Sequence, residues 1–362
     1  MLPTRTQLAQ RLSNLQELIR HPDQLNQAGQ TPFEIIAEAG IARLRHYPAP
    51  AGVDTRGKQP IVIVPPLAVN MYIYDLFPQR SLVATLRDQG YPLYLIDWGR
   101  PGRREAHYTM ATYLQDFMPR LLAQVRAHSG QHKLTLHGWS IGAMFSYAYA
   151  ALGDPDIDRL VLIGPPCDYH APNMQNRHLA KPLKALQERT GWRVDKSPQA
   201  LWHVPGWVNA LGFKLMSPAG TLRGYAELLR NLDDRRYISA HATNAAFLDD
   251  MVAYPGGVTQ DMIRFLITEN VLAQGRLPIR GCDASLASIT ARVLIVVGDK
   301  DPIITPQASG KLIGLMKQAH CEMIQVPGGH MSIVSGSQAP RHIWPQVSAW
   351  LDGKSAASAA PV

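Results

Sequence analysis

The chain has 362 residues, of which 46% are hydrophobic and 18% charged, a balance that suits a globular protein with a large core and excludes a disordered or low-complexity chain. No apolar run reaches the roughly eighteen residues that a membrane span needs, so no membrane span is expected. The formal charge of +8 is spread along the chain; its densest groups, Arg100/Arg103/Arg104 and Arg235/Arg236, match no nucleic-acid motif, so no nucleic-acid partner is expected, and a simply soluble basic surface is preferred over one that favours an anionic substrate or an acidic granule surface. Cys167, Cys282 and Cys321 lie far apart without metal spacing, which predicts reduced thiols and no metal. The start, Met1-Leu-Pro-Thr-Arg, lacks an apolar signal core, and a cytoplasmic location is expected.

Residues 1–52 are predicted to form an N-terminal helical segment and linker. Leu8, Leu12, Leu15, Leu18 and Ile19 recur at helical spacing and stop before Pro22. Thr31-Pro32-Phe33-Glu34 has the form of a capping box with proline at the first helical position, which predicts a second helix ending before Pro48. Residues 53–166 then alternate strand and helix. Ile61–Val64 and Tyr91–Asp97 are predicted strands, with a helix over Leu82–Leu86 between them. A helix from Tyr113 to His128 follows, stopped at Gly130 and kinked at Pro119, and Lys133–Leu136 and Arg159–Gly164 are further strands. In residues 291–352, Arg292–Gly298 and Met323–Pro327 continue the series. Near-continuous apolar strands alternating with helices predict an α/β fold whose mostly parallel sheet is covered on both faces.

Residues 167–290 break that rhythm. They carry Trp192, Trp202 and Trp207, the set Met216/Met251/Met262, and helix-like runs at 222–232 and 262–274. The prediction is a helical cap or lid packed over the strand ends, with these aromatics and methionines in its core. The small, polar tail, residues 353–362, is predicted to be disordered.

Leu134-Thr-Leu-His-Gly138-Trp139-Ser140-Ile141-Gly142 runs an apolar strand into Gly-x-Ser-x-Gly, and a small-residue helix follows at once. This is the nucleophile-elbow pattern of an α/β-hydrolase: serine on a sharp strand-to-helix turn, and glycines where side chains would collide. The chemistry then requires an acid and a histidine later in the chain, each just past a strand. Arg292–Gly298 is followed by two acids, Asp299 and Asp301; Asp301, before Pro302 and with room to fold back over the sheet, is preferred. Met323–Pro327 is followed by Gly328-Gly329-His330, which places His330 on an adaptable loop. His320 precedes its strand, His342 falls in the C-terminal helical region, and His137 is expected to be a core histidine. The site is therefore read as Ser140 nucleophile, His330 base and Asp301 acid. Backbone amides of Ile141, which opens the helix, and of Leu67 are expected to hold the oxyanion. In the loop after Ile61–Val64, Pro65 and Pro66 have no N–H, so Leu67 is the first able donor and Ala68 the next. No cofactor is expected.

Val64-Pro-Pro-Leu-Ala-Val-Asn-Met-Tyr-Ile-Tyr-Asp-Leu76, Arg80-Ser-Leu82, Tyr94-Leu-Ile-Asp-Trp-Gly99, Pro165-Pro-Cys-Asp-Tyr169, Pro205-Gly-Trp-Val-Asn-Ala-Leu-Gly-Phe-Lys-Leu-Met-Ser-Pro218 and Asp301-Pro-Ile-Ile-Thr-Pro306 resemble the polyhydroxyalkanoate synthases, specifically their short catalytic subunits. The likeness covers about residues 30 to 350. It implies an α/β-hydrolase fold, a hydroxyacyl-CoA substrate, and a granule or a synthase as partner. The family attacks with cysteine in a Gly-x-Cys-x-Gly-Gly box, whereas this chain has Ser140 followed by Gly142-Ala143. An acyl-serine is an oxyester and a poorer acyl donor than a thioester. The expectation is therefore a serine hydrolase or acyltransferase acting on (hydroxy)acyl esters or thioesters. Polymer synthesis from 3-hydroxyacyl-CoA and a non-catalytic granule- or synthase-binding role are the alternatives.

Overall fold

The structure, a computed structural model, describes residues 4–174, 177–215 and 218–359. Its frame is an eight-stranded sheet: β1 (Glu34–Ala39), β2 (Ala42–Tyr47), β3 (Ile61–Val64), β4 (Leu93–Asp97), β5 (Leu134–Trp139), β6 (Ile157–Ile163), β7 (Arg292–Gly298) and β8 (His320–Val326). The spatial order is β1-β2-β4-β3-β5-β6-β7-β8. Strands β3 to β8 run parallel, and β2 pairs antiparallel with both of its neighbours. Because side chains alternate along a strand, each central strand feeds two cores. Val62, Val64, Leu136 and Ile295 enter one, and Ile61, Ile63, Val161 and Leu294 the other.

The N-terminal segment differs from its prediction. A helix, α1 (Arg5–Arg20), does end before Pro22. Thr31, however, caps no helix: its amide and hydroxyl donate to the Asp75 carboxylate at 2.7 and 2.9 Å. Residues 34–47 form the β1–β2 hairpin in place of the second helix. The hairpin turns at Gly40, whose φ of +60° favours glycine and where a Cβ would lie 2.8 Å from the Phe117 ring. What overrides the local capping signal is pairing: Arg43 to Tyr47 hydrogen-bond along β4, and Arg45 meets Asp97.

The helices α2 (Leu82–Asp88), α3 (Met118–Ser129) and α4 (Ile141–Ala151) connect the parallel strands. Residues 112–117 make one wide, π-type turn before α3. Pro119 consequently falls in the first turn of the α-helix, where its missing N–H costs nothing. Gly130 then closes α3 in the left-handed conformation, its N–H donating to Arg126.

Between β6 and β7 lie α5 (Arg177–Thr190), α6 (Gly206–Leu215), α7 (Pro218–Arg230) and α8 (Arg235–Asp249), followed by a short helix, Gly256–Asp261, and another wide turn, Met262–Thr268. The long helix α1 docks here through Asn14, which donates to the Leu232 carbonyl at 2.7 Å, and through the Arg235–Glu17 ion pair. Leu25, Leu228, Leu232, Ile238 and Ala242 make a small core of their own. Of the residues expected inside, Met251 is buried, whereas Trp207 is 68% exposed and Trp192 borders solvent; Met216 lies outside the described residues. After α9 (Pro306–Leu315) and α10 (Trp344–Leu351) the tail also departs from expectation. Ala356 is fully buried, and Ser355 and Ala356 both donate to Glu322 at 2.8 Å; residues 360–362 lie outside the described residues. Among the described residues no helix is long and apolar enough to cross a membrane, and no cluster of side chains has the composition of a metal site.

Candidate active site

At the carboxyl end of β5 the chain turns sharply into α4, and Ser140 sits on the corner with φ +56° and ψ −124°. A non-glycine residue enters this region only where its surroundings hold it. Here its N–H donates to the Ile163 carbonyl at 2.9 Å, and its carbonyl accepts from Met144. The flanking glycines permit the corner. A Cβ on Gly142 would stand 2.0 Å from the Val64 carbonyl oxygen, and one on Gly138 would stand 2.5 Å from the Ala143 Cα. No side chain fits either gap.

The structure brings Ser140, His330 and Asp301 together from three strand ends. His330 Nε2 lies 2.9 Å from Ser140 Oγ, and its Nδ1 lies 2.7 Å from Asp301 Oδ2. His330 and Asp301 are both buried, so their contact is shielded from bulk water. The other oxygen of Asp301, Oδ1, accepts the backbone N–H groups of Ile303 and Ile304 at 2.9 Å each. That turn fixes the carboxylate and leaves Oδ2 to the imidazole, which orients it with Nε2 toward the serine.

The competing acid, Asp299, points elsewhere. Its side chain accepts from the Gly328 N–H at 2.8 Å and so braces the loop that carries His330. Trp139, the residue before the serine, braces the same loop from below: its indole N–H donates to the His330 carbonyl at 3.1 Å. Sequence reasoning assigned Trp139 no role, although a buried indole N–H demands an acceptor. His137 faces the core on the same strand, with Nδ1 unpartnered among the described residues, and burial lowers its pKa to about 4. His320 opens β8 on the exposed side, and His342 ends a short helix, Ala339–His342.

Ile141 is the first residue of α4, where a helix leaves its N–H free. The loop after β3 presses on the elbow at the Val64 and Pro65 backbone, and the Trp98 indole holds it by donating to the Pro65 carbonyl at 2.8 Å. Leu67 follows in that loop, and neither its amide nor that of Ile141 donates to another group among the described residues. A cavity of about 690 Å³ opens beside His330, walled by Phe213, Tyr225, Leu248, Ile303 and Met331, with Lys300 at its edge. Its size and largely apolar wall are those of a small-molecule site.

A family model described as the α/β hydrolase fold matches residues 59–194. A poly(3-hydroxyalkanoate) polymerase subunit of Haloferax mediterranei is 30% identical over 332 residues, 90% of this chain and 65% of that protein, so this chain spans about two thirds of the relative's length. One from Allochromatium vinosum is 25% identical and covered to 89%, over 90% of this chain. Among solved structures, a soluble variant of monoglyceride lipase from Saccharomyces cerevisiae has a TM-score of 0.56 at 17% identity, covering 90% of this chain and 96% of its own. The monoacylglycerol lipase of Paleococcus ferrophilus has 0.51 at 17%, covering 83% and 96%. By fold and sheet order this chain has the α/β-hydrolase architecture, and over most of its length its sequence is similar to poly(3-hydroxyalkanoate) polymerase subunits.

Proposed function

We propose that the protein is a serine acyl hydrolase or acyltransferase for (hydroxy)acyl esters or thioesters, working through an acyl-Ser140 intermediate. The observation that carries this reading is the unbroken hydrogen-bonded chain from Ser140 Oγ through His330 to Asp301. His330 takes the hydroxyl proton as Oγ attacks the acyl carbon, and Asp301 stabilises the imidazolium that forms. The negative charge developing on the carbonyl oxygen is met by the amides of Ile141 and Leu67, at about 3 Å in a working oxyanion hole. His330 returns the proton to the leaving alcohol or thiol. Water, or a second hydroxyl, then attacks the acyl-serine with His330 again as base. In this reading residues 167–290 are a lid whose helices α6, α7 and α8 wall the acyl pocket, and the protein acts in the cytoplasm, on a soluble substrate or at a granule.

The nucleophile favours water as final acceptor. An oxyester at Ser140 activates the acyl group less than a cysteine thioester does, and so is a poorer donor to the next hydroxyl of a growing chain, against which water then competes better. Polymer synthesis is the second reading, supported by the likeness to polymerase subunits along most of the chain. Product analysis with 3-hydroxybutyryl-CoA separates the two. Free hydroxy acid and coenzyme A are expected, and insoluble polymer would overturn the hydrolase reading. Labelling with a fluorophosphonate tests the nucleophile, since an active enzyme without a Ser140 adduct would place it elsewhere.

A further inference from the structure

The cavity at His330 shares part of its wall with a neighbouring space. Asn244, Leu248, Met331 and Ser332 also border an adjoining hollow of about 200 Å³, whose far side includes Arg80. Arg80 in turn borders a third hollow, of about 570 Å³, together with Arg341, Gln79 and Gln338. The three spaces thus share walls in series, from the histidine to a pair of arginines at the surface. No carboxylate lines the outer hollow among the described residues.

Arginines in folded proteins ordinarily find acids, as Arg45, Arg100, Arg126 and Arg264 do in this chain. Neither Arg80 nor Arg341 has a salt bridge or a side-chain hydrogen bond among the described residues. Arg80 is half-buried, its guanidinium lying 4.2 Å from the centre of the Phe77 ring. That contact holds the group flat but leaves its N–H fork free, and burial without an anion works against its charge. Arg341 sits in the last turn of the short helix Ala339–His342 and is exposed. Two guanidinium groups, two amide side chains and no acid make a pocket for an oxyanion.

We infer that the Arg80/Arg341 hollow binds an anionic group at the substrate's far end, while the ester or thioester lies at Ser140. The inference rests on the proposed hydrolase reading and adds the substrate's charge to it. The anion is a phosphate of a nucleotide-type leaving group or a carboxylate ending the acyl chain, and both suit a guanidinium fork.

The test compares kcat/KM for p-nitrophenyl butyrate, the mono-p-nitrophenyl ester of glutaric acid and butyryl-CoA. The double variant R80Q/R341Q is expected to lose at least ~10-fold on one of the two anionic substrates relative to the neutral ester, through KM. The substrate that suffers identifies the source of the anion. Unchanged ratios for both would overturn the inference, as would an equal fall on all three, which would mean that the arginines only hold the fold. Arg341→Gln alone, on the rim, guards against misfolding at Arg80 and should lose ~3-fold on the same substrate. Should the wild type turn over none of the three, the hydrolase reading fails by itself. Calorimetric titration with inorganic pyrophosphate then decides the site: binding by wild type that R80Q/R341Q abolishes supports it, and no binding by wild type overturns it.

Discussion

Two helices of nearly equal length and similarly apolar composition meet opposite fates. All eleven residues of α4, which follows Ser140, are buried, including Phe145, Tyr147 and Tyr149. Of the ten in α6, which walls the cavity, Ala210 alone is buried, while Trp207, Leu211 and Leu215 are exposed along one face. The difference follows from what each helix does. The first must hold a serine in a strained conformation and keep an amide aimed at one point, so it is clamped between β3, β5 and β6. The second lines the cavity beside His330, and packing it as tightly would close that space. Rigidity is concentrated where geometry determines rate, and loose packing where shape must accommodate a ligand.

Four experiments can break or sharpen that contrast. Ser140→Ala is expected to lower ester turnover by at least ~10⁴-fold while leaving the fold intact; steady-state kinetics with a thermal melt would show both, and a far smaller loss would remove Ser140 from the chemistry. Gly142→Ala forces a Cβ to 2.0 Å from the Val64 oxygen, and should cost more than about 3 kcal/mol in denaturant unfolding and abolish activity. If it folds with wild-type stability, the tight elbow is not what fixes the serine.

His137 supplies the third, through pH. Its imidazole titrates near 6.5 when unfolded and at about 4 when buried in the fold. Above pH 6.5 it is neutral in both states and costs nothing. As pH falls from 6.5 to 4 the unfolded chain takes up a proton that the fold refuses, so stability falls by up to about 3 kcal/mol. His137→Leu should flatten the dependence of unfolding free energy on pH in that window, and an unaltered slope would contradict a neutral, buried imidazole. The smallest effect belongs to α6: Trp207→Gln, on the open face, should change stability by less than about 0.5 kcal/mol. A larger loss by thermal melt would show that the helix is held as firmly as α4.

The meeting of Ser140, Asp301 and His330 was legible because each lies just past a run of apolar residues. Periodicity marks the strands, and parallel strands deliver their ends to one edge. Trp139 and Asp299 were not legible in those roles, because their partners, the His330 carbonyl and the Gly328 amide, belong to a loop remote in sequence. The segment from Thr31 to Tyr47 was misread for a related reason. Its capping-box spelling is a local preference of about 1 kcal/mol, and pairing with β4 together with the Asp75 contact outweighs it. The tail was misread because alanine and serine carry no burial pattern; Glu322 fixes it from across the fold.

The sequence by itself determined the α/β class, the serine elbow with its two obligatory glycines, and the acid and histidine beyond later strands, because these depend on period and steric size, which are local properties. Tertiary structure alone decided that an indole and the second aspartate, Asp299, brace the histidine's loop, and that two arginines with no acid partner among the described residues border a hollow in series with the cavity beside it. Those arrangements depend on groups far apart in the chain meeting at hydrogen-bond distance, and no spacing within one segment encodes such a meeting.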